Sequence, residues 1–284
     1  MLATTGLTKA TSLVLSKRKS TKIIKIFVKA VSNWFNIYQM KFEEATWYSE
    51  RLGRDMNIKV YGHYGHPFVA FPCQDGQSDD LAINGMIDVL APYIEAGKIK
   101  LYCLDGVDEE SISSKSWDKA HCAYVLEQYH QYFINEALPF IYDKQGGYCE
   151  PMLFGMSAGA SHAANNFFRR PELFAGFISL SGKFDLSSFF DGYMNEDVYN
   201  NSPVDYLRNM PSDHPYIYIY NTKCMICCVG RGRFEHLVLD SNYELARIAE
   251  EKGIHIDFNF WDENSVHDWE SWHYQMPYFL DKIL

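Results

Sequence analysis

The chain has 284 residues, of which 47% are hydrophobic and 16% aromatic, so it can build a sizeable core in one large domain or two small ones. Its formal net charge is −10, yet residues 1–39 hold seven Lys or Arg and no Asp or Glu, which leaves −17 on residues 40–284. This acidic balance argues against nucleic acid as a partner, because phosphate binding needs a basic face.

The basic segment of residues 1–39 differs in composition from the rest of the chain. Its second half places apolar side chains at helical spacing, with lysines mostly off that stripe. Three interpretations compete: a helix lying on an anionic membrane, a targeting sequence, or a segment outside the functional protein because the true start is Met40. We favour the third, so we expect residues 40–284 to form the functional domain and expect membrane contact only if residues 1–39 are retained.

The predicted elements alternate between strand and helix from Met40 onward. The pattern predicts, in chain order, strands at 57–61 and 67–71, a helix at 81–96, a strand at 98–104, a helix at 120–142, a strand at 151–154, a helix at 160–168, strands at 175–180 and 223–229, a helix at 243–252, a strand at 254–261 and a helix at 268–284. Such alternation, with continuous apolar strands, predicts one α/β domain whose mainly parallel sheet is covered on both faces.

Residues 185–215 interrupt this alternation and are rich in Asn, Asp, Tyr and Phe. A connection of this length in a compact domain is often functional, so it is expected either to form a lid that shapes a pocket or to be a surface excursion with two short helices.

Seven cysteines occur at irregular spacing, and several lie in apolar runs. An odd count without regular spacing favours reduced, buried thiols in a cytoplasmic protein over a disulfide framework. Cys224 and Cys227 form a C-x-x-C pair, but no second pair accompanies it, so a core strand is favoured over a metal or redox site. No apolar run reaches the length of about 18 residues that a membrane-spanning helix needs.

The most informative motif is the G-x-S-x-G pentapeptide at residues 155–159, which is centred on Ser157. An apolar stretch precedes it and a helix-compatible run of small residues follows it, as in the strand–turn–helix context of a nucleophile elbow. Glycines suit this turn because the backbone is strained and the strand and helix pass closely. Ser157 is therefore the candidate nucleophile, and the alternative is a serine in an ordinary strand–helix turn.

A serine nucleophile needs a base to take its proton and a carboxylate to fix the tautomer of that base. His267 lies between the last predicted strand and the last predicted helix, and is the candidate base. Glu235 follows the strand at 223–229, at the end where sites of open sheets lie, and is the candidate acid. Asp240 is the runner-up, and a surface ion pair of Glu235 with a neighbouring arginine is the alternative. His273 is expected to be a surface or packing histidine.

An oxyanion hole needs two backbone N–H groups. One is expected from Ala158, directly after the nucleophile, and the other from the loop after an early strand. In that loop, Gly76 is expected to turn the backbone inward, with the N–H of Gln77 as the favoured donor and that of Gln74 as the second choice.

These residues together resemble the putative esterase family of α/β-hydrolases, which includes S-formylglutathione hydrolases, tributyrin and feruloyl esterases, and mycolyltransferases. The resemblance runs from about Met40 to Leu284. Its motifs lie at residues 71–77, 155–160, 180–182, 229–235 and 267–272. It implies an α/β-hydrolase three-layer sandwich with a mainly parallel central sheet, and places the acid on Glu235 and the base on His267. It also implies acyl-ester hydrolysis or transfer with no metal and no organic cofactor. Many members have Asp as the acid, but mycolyltransferases have Glu.

The expected function is that of a cytoplasmic serine esterase that acts on a small-molecule ester through an acyl-enzyme. One alternative is an acyltransferase, in which an alcohol outcompetes water. Another is a non-catalytic homologue that binds a carbohydrate or acyl ligand in the same pocket. The sequence leaves open whether the protein forms a homo-oligomer.

Overall fold

The computed structural model describes residues 40–284, so the interpretations offered for residues 1–39 lie outside the described residues. Residues 42–284 form one compact unit around an eight-stranded sheet. The strands are β1 (Phe42–Ser49), β2 (Arg54–Tyr61), β3 (His66–Phe71), β4 (Ile99–Leu104), β5 (Met152–Met156), β6 (Gly176–Leu180), β7 (Cys224–Val229) and β8 (Asp257–Phe260). Their order across the sheet is β1-β2-β4-β3-β5-β6-β7-β8.

The sheet is antiparallel at one side and parallel elsewhere. Strand β2 pairs antiparallel with both β1 and β4, and every pairing from β4 across to β8 is parallel. All side chains of β4, β5 and β6 are buried, which requires cover on both faces of the sheet. The predicted α/β-hydrolase architecture with a mainly parallel central sheet is therefore confirmed.

Ten α-helices are described among residues 40–284. They are α1 (Asp80–Ile83), α2 (Met86–Glu95), α3 (Lys119–Tyr132), α4 (Leu138–Gln145), α5 (Ala158–Arg169), α6 (Glu196–Asn200), α7 (Pro203–Asn209), α8 (Pro215–Tyr220), α9 (His236–Lys252) and α10 (Trp269–Ile283). No helix in this part of the chain combines the length and the apolarity needed to cross a bilayer.

Two predicted helices are interrupted for identifiable reasons. The helix predicted at 81–96 is split between α1 and α2 at Gly85, whose φ of +77° is a left-handed conformation that glycine adopts without strain. The helix predicted at 120–142 contains a π-helical turn, Phe133–Ala137, between α3 and α4. Pro139 is the second residue of α4, and a proline there lacks the N–H that a continuous α-helix would use.

Residues 185–215 contain two short helices, as the second interpretation predicts. A 3₁₀ turn, Leu186–Phe190, is followed by α6 and α7. Leu186, Phe190 and Val198 are fully buried beneath this segment, so it is packed onto the domain rather than extended from it.

All seven cysteines are free thiols. Cys224 and Cys227 both lie in β7, and burial raises the pKa of each thiol above its ordinary value. A thiol whose pKa is raised is a poor nucleophile and a poor metal ligand. Cys224 and Cys227 are therefore structural residues of a strand, as predicted from the sequence.

Candidate active site

The carboxyl ends of β5, β6, β7 and β8 meet at one edge of the sheet, because these strands are parallel neighbours. Ser157 directly follows β5, Ser181 directly follows β6, and Glu235 and His267 lie on the loops after β7 and β8. Residues far apart in the chain therefore come together at the edge where open α/β sheets carry their sites.

Ser157 occupies the turn between β5 and α5 in a strained conformation. Its φ is +54° and its ψ is −123°, a region that non-glycine residues rarely adopt. The strand ladder holds this turn in place, since the N–H of Ser157 donates to the carbonyl of Leu180 at 2.9 Å. The hydroxyl is thereby presented above the end of the sheet, as in a nucleophile elbow.

The two glycines of the motif are required by close backbone approaches. A Cβ added to Gly155 would lie 2.3 Å from the carbonyl carbon of Gly159, and one added to Gly159 would lie 2.3 Å from the carbonyl oxygen of Phe71. Real Cβ atoms do not come this near to backbone, so no larger residue fits while α5 crosses β5 and β3. Neither glycine has a positive φ, and it is space rather than conformational freedom that selects them.

His267 contacts the nucleophile directly. Its Nε2 lies 2.8 Å from the Oγ of Ser157, and its Nδ1 lies 3.2 Å from the Oε2 of Glu235. The backbone holds the imidazole here because the N–H of His267 donates to the carbonyl of Arg233 at 3.0 Å. Asp268, the next residue, caps α10 by accepting from the N–H of Trp269 at 2.7 Å. The imidazole thus lies between a hydroxyl and a carboxylate.

Glu235 is fully buried, with 0% of its surface exposed. Its Oε1 accepts from the Oγ of Ser181 at 2.7 Å and from the backbone N–H of Gly230 at 3.0 Å, which leaves Oε2 for His267. Burial of a carboxylate is tolerated only when it is hydrogen-bonded in this way. The surface ion pair considered for Glu235 does not form, and Arg233 instead lies 3.4 Å from Asp268.

Two residues in this network were not assigned a role from the sequence. Ser181 orients the carboxylate of Glu235, and the indole Nε1 of Trp272 donates to Ser181 Oγ at 3.0 Å. The ring of Trp272 also meets that of His267 edge-on, with 5.3 Å between centroids. The strained φ of +55° at Ser181 is visible only in three dimensions, although Ser181 and Trp272 both lie in motifs that carry the family resemblance.

The other candidates lie away from Ser157. Asp240 is exposed on α9, four residues beyond the start of that helix, and lines a separate groove. The Nε2 of His273 lies 2.9 Å from the carbonyl oxygen of Asn84, which accounts for this histidine as a packing residue.

The loop after β3 contains the candidate oxyanion donors. Gln74 lines the cavity that contains Ser157, whereas Gln77 does not line it and its side chain donates to the Gly106 carbonyl at 3.4 Å. Gly76 does not have a positive φ, but a Cβ added to it would lie 2.9 Å from the carbonyl oxygen of Cys73, so lack of space favours glycine there. The positive φ of this loop belongs to Asp75, at +61°.

Ala158 is the first residue of α5, so its backbone N–H has no acceptor within the helix. This N–H also lies at the positive end of the helix dipole, beside the hydroxyl of Ser157. It is therefore well placed to stabilise negative charge.

A cavity of about 360 Å³, called here the active-site cavity, opens above Ser157. Its polar lining comprises Gln74, Ser157, Ser161, Lys183 and His267, and its apolar lining comprises Ile112, Ala158, Phe189, Leu237 and Val238. Phe189 belongs to the 185–215 segment, so that segment forms part of the wall. A predominantly apolar cleft with a few convergent polar groups is typical of a site for a small organic molecule.

The fold and the chain of contacts from Ser157 through His267 to Glu235 define a serine hydrolase of the α/β-hydrolase class. Residues 49–283 match the family described as putative esterase, so the chain belongs to this family and is a serine esterase. No curated protein sequence matches the chain.

Solved structures of the same fold include several esterases. A ferulic acid esterase is 18% identical with a TM-score of 0.64, covering 84% of this chain and 96% of its own. An S-formylglutathione hydrolase from Agrobacterium tumefaciens is 15% identical with a TM-score of 0.64, covering 86% and 94%. An S-formylglutathione hydrolase from Staphylococcus aureus is 14% identical with a TM-score of 0.60, covering 84% and 94%. At sequence identities this low, these structural similarities show a shared fold and nothing more.

Proposed function

We propose that this esterase hydrolyses carboxylic esters of small molecules through an acyl-enzyme on Ser157, with His267 as base and Glu235 as the acid that orients it. The observation that supports the proposal is the pair of contacts at His267. Its Nε2 lies 2.8 Å from Ser157 Oγ, and its Nδ1 lies 3.2 Å from Glu235 Oε2. A hydroxyl, an imidazole and a buried carboxylate in this order are the parts that activate a serine.

In the first half of the reaction, Ser157 Oγ attacks the ester carbonyl while His267 Nε2 takes its proton. The carboxylate of Glu235 accepts from Nδ1, which keeps Nε2 free to act as the base and stabilises the imidazolium that forms. His267 then returns the proton to the departing alcohol, and the acyl group stays on Ser157.

In the second half, water attacks the acyl carbonyl while His267 takes a proton from it. The bond from the acyl carbon to Ser157 Oγ then breaks, His267 returns the proton to that oxygen, and the carboxylic acid leaves. We assign the stabilisation of both tetrahedral intermediates to the N–H of Ala158 together with one from the loop after β3. Because Gln74 lines the cavity and Gln77 does not, we propose the N–H of Gln74, the second choice from the sequence, as that second donor in place of Gln77.

The experiment is hydrolysis of 4-nitrophenyl acetate, butyrate and octanoate by the wild type and by Ser157→Ala. We expect wild-type activity that disappears in the variant at unchanged thermal stability, because the alanine removes one oxygen and leaves the turn intact. The chain-length preference then measures how much of the cavity accepts the acyl group. Equal activity of the two proteins, or none in the wild type on any ester, would contradict the proposal.

Two further points remain proposals about the whole protein. We place it in the cytoplasm on the strength of its seven free and mostly buried thiols.

We also propose that residues 40–284 are sufficient for activity, since β1 begins at Phe42 and the family match begins at Ser49. A chain that starts at Met40 should keep the kcat/KM of the full chain, and a large loss would assign a role to residues 1–39.

A further inference from the structure

Lys183 brings a positive charge to the active-site cavity. It is the only Lys or Arg among the described residues that line this cavity, and no Asp or Glu lines it. The rest of the lining is apolar or neutral apart from His267. This charge stands out in a domain whose net charge is −17 over residues 40–284.

The backbone of Lys183 is tied to the nucleophile through one serine. The N–H of Lys183 donates to the Oγ of Ser161 at 2.9 Å, and that hydroxyl donates to the backbone carbonyl of Ser157 at 3.4 Å. Ser161 lies in the first turn of α5, one helical turn after the nucleophile. The position of Lys183 relative to Ser157 is therefore set by hydrogen bonds rather than by a free loop.

The residues on both sides of Lys183 are anchored to α9. The carbonyl of Gly182 accepts from Asn242 Nδ2 at 2.8 Å, and the N–H of Phe184 donates to Ser241 Oγ at 3.2 Å. Asn242 and Gly182 are buried, so these bonds are shielded from water. A lysine on such a fixed backbone can present its charge at a defined place.

The two recorded contacts of the Lys183 ammonium group are with neutral groups. Its Nζ donates to the carbonyl of Leu237 at 3.3 Å and lies 5.9 Å from the ring of Phe189, and both of these residues line the cavity. Lys119, a second lysine near Phe189, instead pairs with Asp191 at 3.0 Å. No described carboxylate comes within 4.0 Å of Lys183 Nζ. An ammonium group has three donors, so Lys183 keeps the capacity to bind an anion.

Carboxylates do occur on the far side of Lys183. There it borders a separate groove of about 540 Å³, in which four acidic side chains outnumber the two basic ones, Lys183 and Arg208; the acids are Asp185, Asp205, Asp240 and Glu244. A negatively charged ligand would be repelled by that groove and attracted into the active-site cavity, where Lys183 meets no competing acid. Lys183 thus marks the boundary between an acidic groove and a carboxylate-free cavity.

We propose that Lys183 selects esters that carry a negatively charged group, such as a carboxylate or sulfonate, close to the scissile bond. This inference rests on the proposed esterase function. The anionic group would accept a charge-assisted hydrogen bond from Lys183 Nζ while the ester carbonyl lies at Ser157 Oγ. The charge belongs either to the acyl part or to the alcohol part of the ester.

Three ester substrates distinguish a charge on the acyl part from a charge on the alcohol part. They are 4-nitrophenyl acetate, which is neutral, mono-4-nitrophenyl glutarate, whose acyl part is anionic, and 4-acetoxybenzenesulfonate, whose alcohol part is anionic. The variants are Lys183→Met, which removes the charge, and Lys183→Arg, which keeps it. Lys98→Met is the matched control, since Lys98 is exposed and precedes β4 at the opposite end of the sheet.

For one of the anionic probes, we expect Lys183→Met to lower kcat/KM at least about tenfold more than it lowers kcat/KM for 4-nitrophenyl acetate. Lys183→Arg should retain most of the activity on that probe, and Lys98→Met should leave all three rates unchanged. Added salt should reduce the wild-type rate on the responding probe more than the rate on acetate. The probe that responds identifies which part of the ester carries the charge.

Equal losses on all three probes, or no loss on either anionic probe, would overturn the assignment of Lys183. Failure of the wild type to hydrolyse 4-nitrophenyl acetate would instead contradict the esterase function itself. The neutral probe therefore distinguishes failure of the further inference from failure of the function on which it rests.

Discussion

Trp272 donates its indole N–H to the hydroxyl oxygen of Ser181, with 3.0 Å between Nε1 and Oγ. The hydroxyl of Ser181 in turn donates a hydrogen bond to Glu235 Oε1 at 2.7 Å, and the Trp272 ring also meets the ring of His267 edge-on. A single tryptophan therefore contacts the proposed base and, through one hydroxyl, orients the proposed acid. We regard Ser181 and Trp272 as positioning residues, since neither touches the nucleophile.

A pair of substitutions at Ser181 separates positioning from stability. Both Ser181→Ala and Ser181→Gly remove the donor to Glu235, so we expect kcat to fall by a similar factor, about tenfold, with KM little changed. Because the φ of Ser181 is +55°, glycine relieves strain that alanine keeps. The glycine variant should therefore be about 1 kcal/mol more stable than the alanine variant in urea unfolding. If the less stable alanine variant also had the clearly lower kcat of the two, the loss of activity would follow stability, and the positioning role would be contradicted.

The acid assignment is tested by Glu235→Gln against Asp240→Asn. An amide at Glu235 keeps the shape of the side chain but cannot hold the imidazole in the tautomer that leaves Nε2 free. We expect kcat to fall by about a hundredfold or more, whereas the exposed Asp240 should be replaceable with less than about a twofold change. The measurement is steady-state hydrolysis of 4-nitrophenyl acetate. A larger effect at Asp240 than at Glu235 would reverse the assignment.

The close approach at the nucleophile elbow predicts a steep cost for Gly155→Ala. The added methyl would lie 2.3 Å from backbone that cannot yield without moving α5, so we expect a loss of more than about 3 kcal/mol in unfolding free energy or failure to fold. Gly253→Ala is the control. No atom lies within 4 Å of a Cβ there, and only its φ of +71° is unfavourable, so the cost should be about 1 kcal/mol. Equal losses of unfolding free energy in the two variants would contradict this prediction, because they would show that the nucleophile elbow moves easily to accommodate the methyl group.

A buried histidine makes stability depend on pH. Burial, together with the nearby Arg169, lowers the pKa of His130 well below its ordinary 6.5, and its Nδ1 lies 2.7 Å from Asn166 Oδ1. As pH falls below 6.5, the unfolded chain takes up a proton that folded His130 resists, so the folded state loses stability. The stability that neutral His130 contributes is complete above that pH.

The measurement is the unfolding temperature from pH 7.5 to pH 5 for the wild type and for His130→Gln. Glutamine does not titrate and can still donate to Asn166, so the variant should show a shallower decline than the wild type. His63→Gln serves as the control because His63 is exposed, and its curve should parallel that of the wild type. A decline in His130→Gln as steep as in the wild type would exclude His130 as the source.

The candidate site could be predicted from the sequence where a local motif, or the order of residues along the chain, was sufficient to identify a residue. Ser157 stood in a motif with a strand before it and a helix after it. His267 and Glu235 followed from the requirement that an acid and then a base come after later strands. The structure places His267 within hydrogen-bonding distance of both Ser157 and Glu235, although the chemical roles of the three residues stay predictions.

Features that depend on long-range contact or on backbone geometry were not predictable. The edge strand β1 alternates between exposed and half-buried residues, so it lacked the continuous apolar run of the inner strands. Helix α9 was predicted to begin at Tyr243 but begins at His236. Its N-cap is Glu235, whose carboxylate makes no cap and instead faces His267, so the usual start signal was missing.

The most direct test of the account is covalent labelling with a fluorophosphonate, which reacts with an activated serine. We expect one adduct in the intact-mass spectrum, located on Ser157 by peptide mapping. Labelling should be absent in Ser157→Ala and strongly slowed in His267→Ala, because the hydroxyl is activated only through the 2.8 Å contact with His267 Nε2. An adduct on another residue, or labelling of Ser157→Ala at the wild-type rate, would contradict the claim that Ser157 is the nucleophile.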